Sequence, residues 1–220
     1  MTLPCVTKHT GPEPVASILW LHGLGADGHD FEPIIPELVD PAWPALRFVF
    51  PHAPVRPVTI NMGMAMRAWY DIKAMSLDQR ADEAGLRESV DQVEALIAAE
   101  VEAGIDAERV FLAGFSQGGV VALQAALRHR QRLAGVIGLS CYLPLADALA
   151  AERAPANADL PVLLMHGSQD PVVPMALGMH ARDTLAGWGY PVDWHAYPMQ
   201  HTLCMEQIVD LRRWLGARLA

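Results

Sequence analysis

Short apolar runs recur along the chain and alternate with longer stretches of helical periodicity. Val15-Ala-Ser-Ile-Leu-Trp-Leu21 ends at His22-Gly23, Leu46-Arg-Phe-Val-Phe50 ends at Pro51, and Arg109-Val-Phe-Leu-Ala113 runs into Gly114. Gly135 to Ser140, Pro161 to His166 and Val192 to Tyr197 have the same character. Runs of this length, rich in Val, Ile and Leu and bounded by Gly or Pro, read as strands buried on both faces. Between them, Leu86, Val90, Val93, Leu96, Ile97 and Val101 fall on one side of a helix from about Ala81 to Glu102, with Gly104 as its stop. Gln117 to His129, Pro174 to Trp188 and Leu203 to Leu219 read as further helices. Strand–helix alternation predicts an α/β protein with a mostly parallel central sheet and helices on both faces. In such sheets the functional residues gather in loops beyond the carboxyl ends of the strands.

Reactive residue types stand in those loops. Gly114-Phe-Ser-Gln-Gly118 lies between the strand ending at Ala113 and the helix beginning near Gln117. Gly-x-Ser-x-Gly in that context is a nucleophile elbow, which puts Ser116 on a sharp turn at the tip of the sheet. Side chains at positions 114 and 118 would collide with the neighbouring strand and helix. The competing reading is a plain Gly-rich turn, and the strand–turn–helix context favours the elbow.

A serine hydroxyl needs a base, and the partners that accompany such an elbow follow it as Asp and then His. His129, His166, His180, His195 and His201 all follow Ser116. Only His201, in Tyr197-Pro-Met-Gln-His-Thr202, sits in a loop after the last strand, within reach of the carboxyl edge. Asp170, in His166-Gly-Ser-Gln-Asp-Pro171, is the best-placed acid to hold His201 at Nδ1. A cap on the helix beginning near Pro174 is its competing role. An oxyanion needs two donors: the amide of Gln117, directly after the nucleophile, and the amide of Leu24 in the His22-Gly-Leu-Gly25 loop after the first long strand. His22 and His29, near Asp27 and Asp30, lack the spacing of common zinc sites, so no metal is expected.

Composition narrows the class. The 220 residues are 52% hydrophobic, with no linker-like stretch, repeat or low-complexity run, which predicts one domain over residues 1–220. A formal net charge of -9 argues against nucleic acid as a partner and against a polybasic lipid anchor. The three cysteines, Cys5, Cys141 and Cys204, have no zinc-ligand spacing and form no even set. With no signal-peptide pattern at the N-terminus and no apolar run long enough to span a bilayer, the expected compartment is the cytoplasm.

The located segments, with Leu21-His-Gly-Leu-Gly-Ala-Asp-Gly28, Pro51-His-Ala-Pro-Val-Arg-Pro57, Asn61-Met-Gly63 and Arg67-Ala-Trp-Tyr-Asp-Ile72, span most of the chain. Together they resemble the small carboxylesterases of the α/β-hydrolase fold that group with acyl-protein thioesterases and lysophospholipases. The resemblance implies an enzyme without a large lid and without a cofactor, acting on short- or medium-chain acyl esters, and in some members on lysophospholipids or acyl-thioesters. It implies Ser116, Asp170 and His201 as triad, and Leu24 and Gln117 as oxyanion donors. Met62, Met64 and Trp69 are candidate substrate-pocket residues, because flexible thioethers suit an adaptable acyl pocket. Core packing competes for the methionines, Met66 and Met75 included, and a structural role competes for Trp69. His29 and the bulky Val120 leave chain length open, and oligomeric state is open too, with a homodimer one option.

Overall fold

The computed structural model describes residues 3–73 and 82–219. Seven strands form one sheet in the spatial order β1 (Cys5–His9), β3 (Leu46–Pro51), β2 (Ala16–Leu21), β6 (Val110–Phe115), β7 (Gly135–Leu139), β8 (Val162–Gly167) and β9 (Val192–Tyr197). All neighbouring pairs are parallel except β1 with β3. A separate hairpin of β4 (Val55–Val58) and β5 (Met64–Arg67) lies outside this sheet. The helices are α1 (Ile35–Leu38), α2 (Glu83–Glu102), α3 (Gln117–Arg128), α4 (Ala146–Glu152), α5 (Met175–Gly187) and α6 (Met205–Leu219).

The six predicted strands and four predicted helices are present, with ends shifted by one or two residues. Ala81, the expected start of the second helix, lies outside the described residues, as does Met75. The sequence pattern missed β1, β4 and β5. β1 is a half-exposed edge strand containing Lys8, and β4 carries Pro57, so neither shows the continuous apolar run of a central strand.

Successive strand residues point to opposite faces of the sheet. Leu19 and Leu21 join one core layer with Val93 and Ile97 of α2, Val121 and Ala125 of α3, and Leu185 of α5. Ile18 and Trp20 join the other, with Leu38 of α1 and Leu211 and Leu215 of α6. Both faces of the sheet are therefore covered, and its chemistry is confined to the strand ends. Parallel register aligns those ends: Leu21 pairs with Gly114, Phe115 with Leu139, and Gly167 with Tyr197. Residues 22–24, 116, 140–142, 170 and 201 thus leave the sheet along one edge. Among the described residues no helix is long and apolar enough to cross a membrane.

At the far end of α3, the fully buried Asn157 ties the turn that returns the chain to β7. Its Oδ1 accepts from the Leu133 amide (2.9 Å), and its Nδ2 donates to the carbonyls of His129 and Gln131 (2.8 Å each). Asn157→Ala strands three backbone groups in a dry site. It is expected to lower stability by about 3 kcal/mol in urea unfolding with an unchanged m-value. A loss below about 1 kcal/mol would show that water replaces the amide freely there.

Candidate active site

Ser116 sits at φ 54°, ψ −118°, a conformation that a non-glycine residue holds only under constraint. The constraint is visible on both sides. The Ser116 amide donates to the Leu139 carbonyl at 2.8 Å, which continues the β6–β7 ladder one residue past the strand. The chain then turns back so closely that a Cβ on Gly114 would lie 2.3 Å from the Gly118 carbonyl. One on Gly118 would lie 2.3 Å from the Leu21 carbonyl oxygen. Glycine at 114 and 118 is a steric requirement of the turn, as the sequence pattern predicts.

The turn opens into a cavity of about 350 Å³, lined by Ser116 and His201 together with Leu24, Phe115, Gln117 and Tyr142 among others. His201 is half-buried and lies against the Phe115 ring, with 4.6 Å between centroids. Its Nδ1 stands 2.7 Å from Asp170 Oδ2. A carboxylate only accepts, so Nδ1 carries the proton and Nε2 is left as the basic nitrogen. Asp170 is buried, and its other oxygen accepts from the amides of Val172 (2.8 Å) and Val173 (2.9 Å). The α5 N-cap is Pro174, without a side-chain cap, and Asp170 instead uses one oxygen to shape its own loop and the other to hold His201.

The remaining histidines after Ser116 are occupied elsewhere. His166 comes within 3.8 Å of Asp170 Oδ2, but its Nε2 bonds the Val173 carbonyl at 2.8 Å. Burial pushes its pKa below the ordinary histidine value, so it stays neutral. His129 pairs with Glu94 at 2.7 Å at the end of α3, His180 is exposed on α5, and His195 on β9 lies 3.8 Å from Asp210. Cys141 packs beside Gly119, and full burial pushes its thiol up to about 12, which removes it as a rival nucleophile.

Leu24 and Gln117, the two expected donors, both line the cavity, and neither amide has a hydrogen-bond partner among the described residues. Gln117 is the first residue of α3, so its amide has no intrahelical acceptor. Its side chain is clamped from both ends, Oε1 accepting from the Trp69 amide (2.8 Å) and Nε2 donating to the Tyr70 carbonyl (2.7 Å). The loop carrying Leu24 is held just as firmly. His22 donates from Nδ1 to the Gly23 carbonyl (2.7 Å) and accepts from the Ala53 amide at Nε2 (3.0 Å), a neutral tautomer that burial favours. The Trp69 indole donates to the His22 carbonyl (2.9 Å), and the Gly25 amide donates to the Arg67 carbonyl (2.9 Å).

These contacts assemble a strained serine, an oriented histidine, a buried carboxylate and two open amides around one cavity. The family model of phospholipases and carboxylesterases matches residues 4–218. The chain belongs to the phospholipase/carboxylesterase family. It is a carboxylesterase/thioesterase-type hydrolase with the α/β-hydrolase fold. It is 36% identical over 234 residues to acyl-protein thioesterase 1 of Cryptococcus neoformans, covering 97% of this chain and 98% of that one. Among solved structures it is similar to Arabidopsis thaliana SOBER1 (31% identity, TM-score 0.87, 93% and 99% of the two chains). It is also similar to Zea mays acyl-protein thioesterase 2 (30% identity, TM-score 0.85, 98% and 99%).

Within this family site, the three expected pocket residues are not at the cavity wall. Met62 and Met64 lie at the β4–β5 hairpin, 94% and 59% exposed. Trp69 is fully buried and acts through its indole N–H and its backbone on His22 and Gln117. The wall is instead built by Leu24, Tyr70, Ile72, Tyr142, Val172 and Val173. Tyr70 and Tyr142 share a hydrogen bond of 3.2 Å between their hydroxyls. Sequence reading passed over Tyr142, Val172 and Val173. They stand two or three residues beyond a strand end or a candidate acid, and that adjacency is the available signal.

Asp170→Asn keeps a carbonyl oxygen for the Val172 and Val173 amides but offers His201 an N–H in place of an acceptor. Ester turnover per folded molecule is expected to fall by up to about ten-thousandfold, with a thermal midpoint near wild type. Asp170→Ala should lose both activity and about 1–3 kcal/mol of stability. If Asp170→Asn retains turnover, the residue serves only its loop.

Proposed function

We propose that the protein is a serine carboxylesterase that hydrolyses short- to medium-chain acyl esters through an acyl-enzyme on Ser116. The reading is supported above all by the His201–Asp170 bond of 2.7 Å, in a cavity that His201 shares with an elbow serine. His201 Nε2 takes the Ser116 proton as Oγ attacks the acyl carbonyl, and the imidazolium that forms is stabilised by the buried Asp170 carboxylate. The Leu24 and Gln117 amides receive the oxyanion, and because both are already held in place they need not reorganise as charge develops. His201 then protonates the departing alcohol or thiol. A water activated by the same nitrogen hydrolyses the ester bond to Ser116 and regenerates the free serine.

The cavity suits this substrate class. Ile72, Tyr142, Val172 and Val173 give it an apolar wall for the acyl chain, and its volume is at the small end for a ligand pocket. Thioester cleavage is the second reading, carried by the relatives named acyl-protein thioesterase. The same residues serve it, since a thiolate leaves more readily than an alkoxide. Lysophospholipids are a further class of acyl ester with the same reacting carbonyl.

A series of p-nitrophenyl esters from C2 to C16, run beside a palmitoyl-thioester and a lysophospholipid, tests the reading. The highest kcat/KM is expected on the short to medium esters. Ser116→Ala should lose at least about a thousandfold in kcat and all labelling by a fluorophosphonate. Near-native turnover in that variant would remove Ser116 from the mechanism. A folded wild-type protein that neither labels nor turns over any of these substrates would instead mark a binding module.

A further inference from the structure

The cavity has a chemical polarity that the triad does not explain. Asp30 is the only carboxylate among its described lining residues. It is exposed and forms no ion pair among the described residues; nearby Lys8 and His29 are both engaged by Glu32, at 2.7 and 3.0 Å. The residue therefore brings to the cavity lining a charge with no ion-pair partner among the described residues.

Its position relative to the reacting atoms follows from the sheet order and a run of stacked rings. β2 and β7 flank β6 on opposite sides, so the β2 loop carrying Asp30 and the β7 loop carrying Tyr142 stand on opposite sides of Ser116. The β7 and β8 side supplies Tyr142, Val172 and Val173, where an alkyl chain loses nothing by leaving water. On the other side, Asp30 adjoins Phe31, whose ring lies 5.7 Å from Phe115, and Phe115 lies 4.6 Å from His201. His201 is the group that hands a proton to whatever leaves. Asp30 thus adjoins the pair of rings that leads to His201, on the side of Ser116 opposite Tyr142, Val172 and Val173.

We propose that Asp30 selects the charge of the leaving group, so that esters and thioesters of cationic alcohols or thiols are preferred over those of anionic ones. This rests on the acyl-transfer reading above. A quaternary ammonium, or a basic residue beside an S-acylated cysteine, gains the field of Asp30 as it docks, whereas a phosphate- or carboxylate-bearing leaving group is repelled. The carboxylate is exposed, so the effect is a moderate factor that salt reduces. Asp30 is a specificity residue: no bond to it forms or breaks.

The test holds the acyl group constant and varies only the leaving thiol. Butyryl thioesters of thiocholine (cationic), N-acetylcysteamine (neutral) and 3-mercaptopropionate (anionic) are compared by kcat/KM. Each is normalised to the neutral thioester, and variant is compared with wild type so that intrinsic thiol reactivity cancels. Asp30→Asn is expected to lower the cationic-to-neutral ratio by about three- to tenfold, mainly through KM, and to raise the anionic-to-neutral ratio similarly. Raising NaCl to about 0.5 M should compress the wild-type ratios toward those of the variant. Asp27→Asn, in the same loop but outside the cavity lining, should leave the ratios within about twofold. Ratios unchanged in Asp30→Asn, or moved equally by Asp27→Asn, would overturn the assignment to Asp30. A wild type that cleaves none of the three, or a Ser116→Ala variant that cleaves them all, would overturn the acyl-transfer reading itself.

Discussion

Ser116 stands on a backbone conformation that costs on the order of 1–3 kcal/mol to hold, and much of the surrounding structure serves to hold it. The ladder bond from its amide to Leu139 fixes the turn against β7. The glycines at 114 and 118 let strand and helix pass at a separation that no Cβ allows. That close passage aims the open end of α3 at the serine, so the Gln117 amide, orphaned by helix geometry, becomes available to an oxyanion. One steric constraint thus places the proposed nucleophile and one of the two proposed oxyanion donors.

The second donor depends on a different part of the chain. The loop carrying Leu24 is held from within by His22 and from outside by Ala53, Arg67 and Trp69, which meet it from two segments more than twenty residues downstream. Gln117 closes the ring by bonding Trp69 and Tyr70 from the other side. Both donors are therefore tied to one short segment, Trp69–Tyr70, which is why a fully buried tryptophan outside the cavity matters to a site it does not touch. Such a network lets the donors meet developing charge without first moving, and low-dielectric surroundings magnify that advantage.

Charge is distributed with comparable economy. Asp170 is buried, and its two oxygens divide their work between the loop amides and His201. His166 and His22 stay neutral through burial and spend their nitrogens on backbone groups. Among the described lining residues of the cavity, His201 is the one histidine. Among the described lining residues, the acidic balance of the chain reaches the cavity only at Asp30.

The architecture and the placing of the candidate triad residues at the sheet edge were legible in the chain because each has a local cause. Continuous Val/Ile/Leu runs mark strands buried on two faces, Gly-x-Ser-x-Gly marks a turn with no room for side chains, and strand–helix alternation puts the reactive loops on one edge. The edge strand β1 and the β4–β5 hairpin escaped notice because half-exposed and proline-bearing strands carry no such run. The pocket was not legible for a deeper reason. A methionine-rich segment and a tryptophan look like pocket material by composition, yet whether Met62 or Tyr142 faces the substrate depends on where a hairpin folds relative to a strand end seventy or more residues away. The same holds for the way Asp170 divides its two oxygens between loop amides and His201. The sequence by itself determined which residues stand at the sheet edge and in what order, since those follow from local sterics and periodicity. Only the tertiary structure decided which of them meet, because hydrogen bonds such as Gln117 to Trp69 and His201 to Asp170 join segments whose pairing no local pattern encodes.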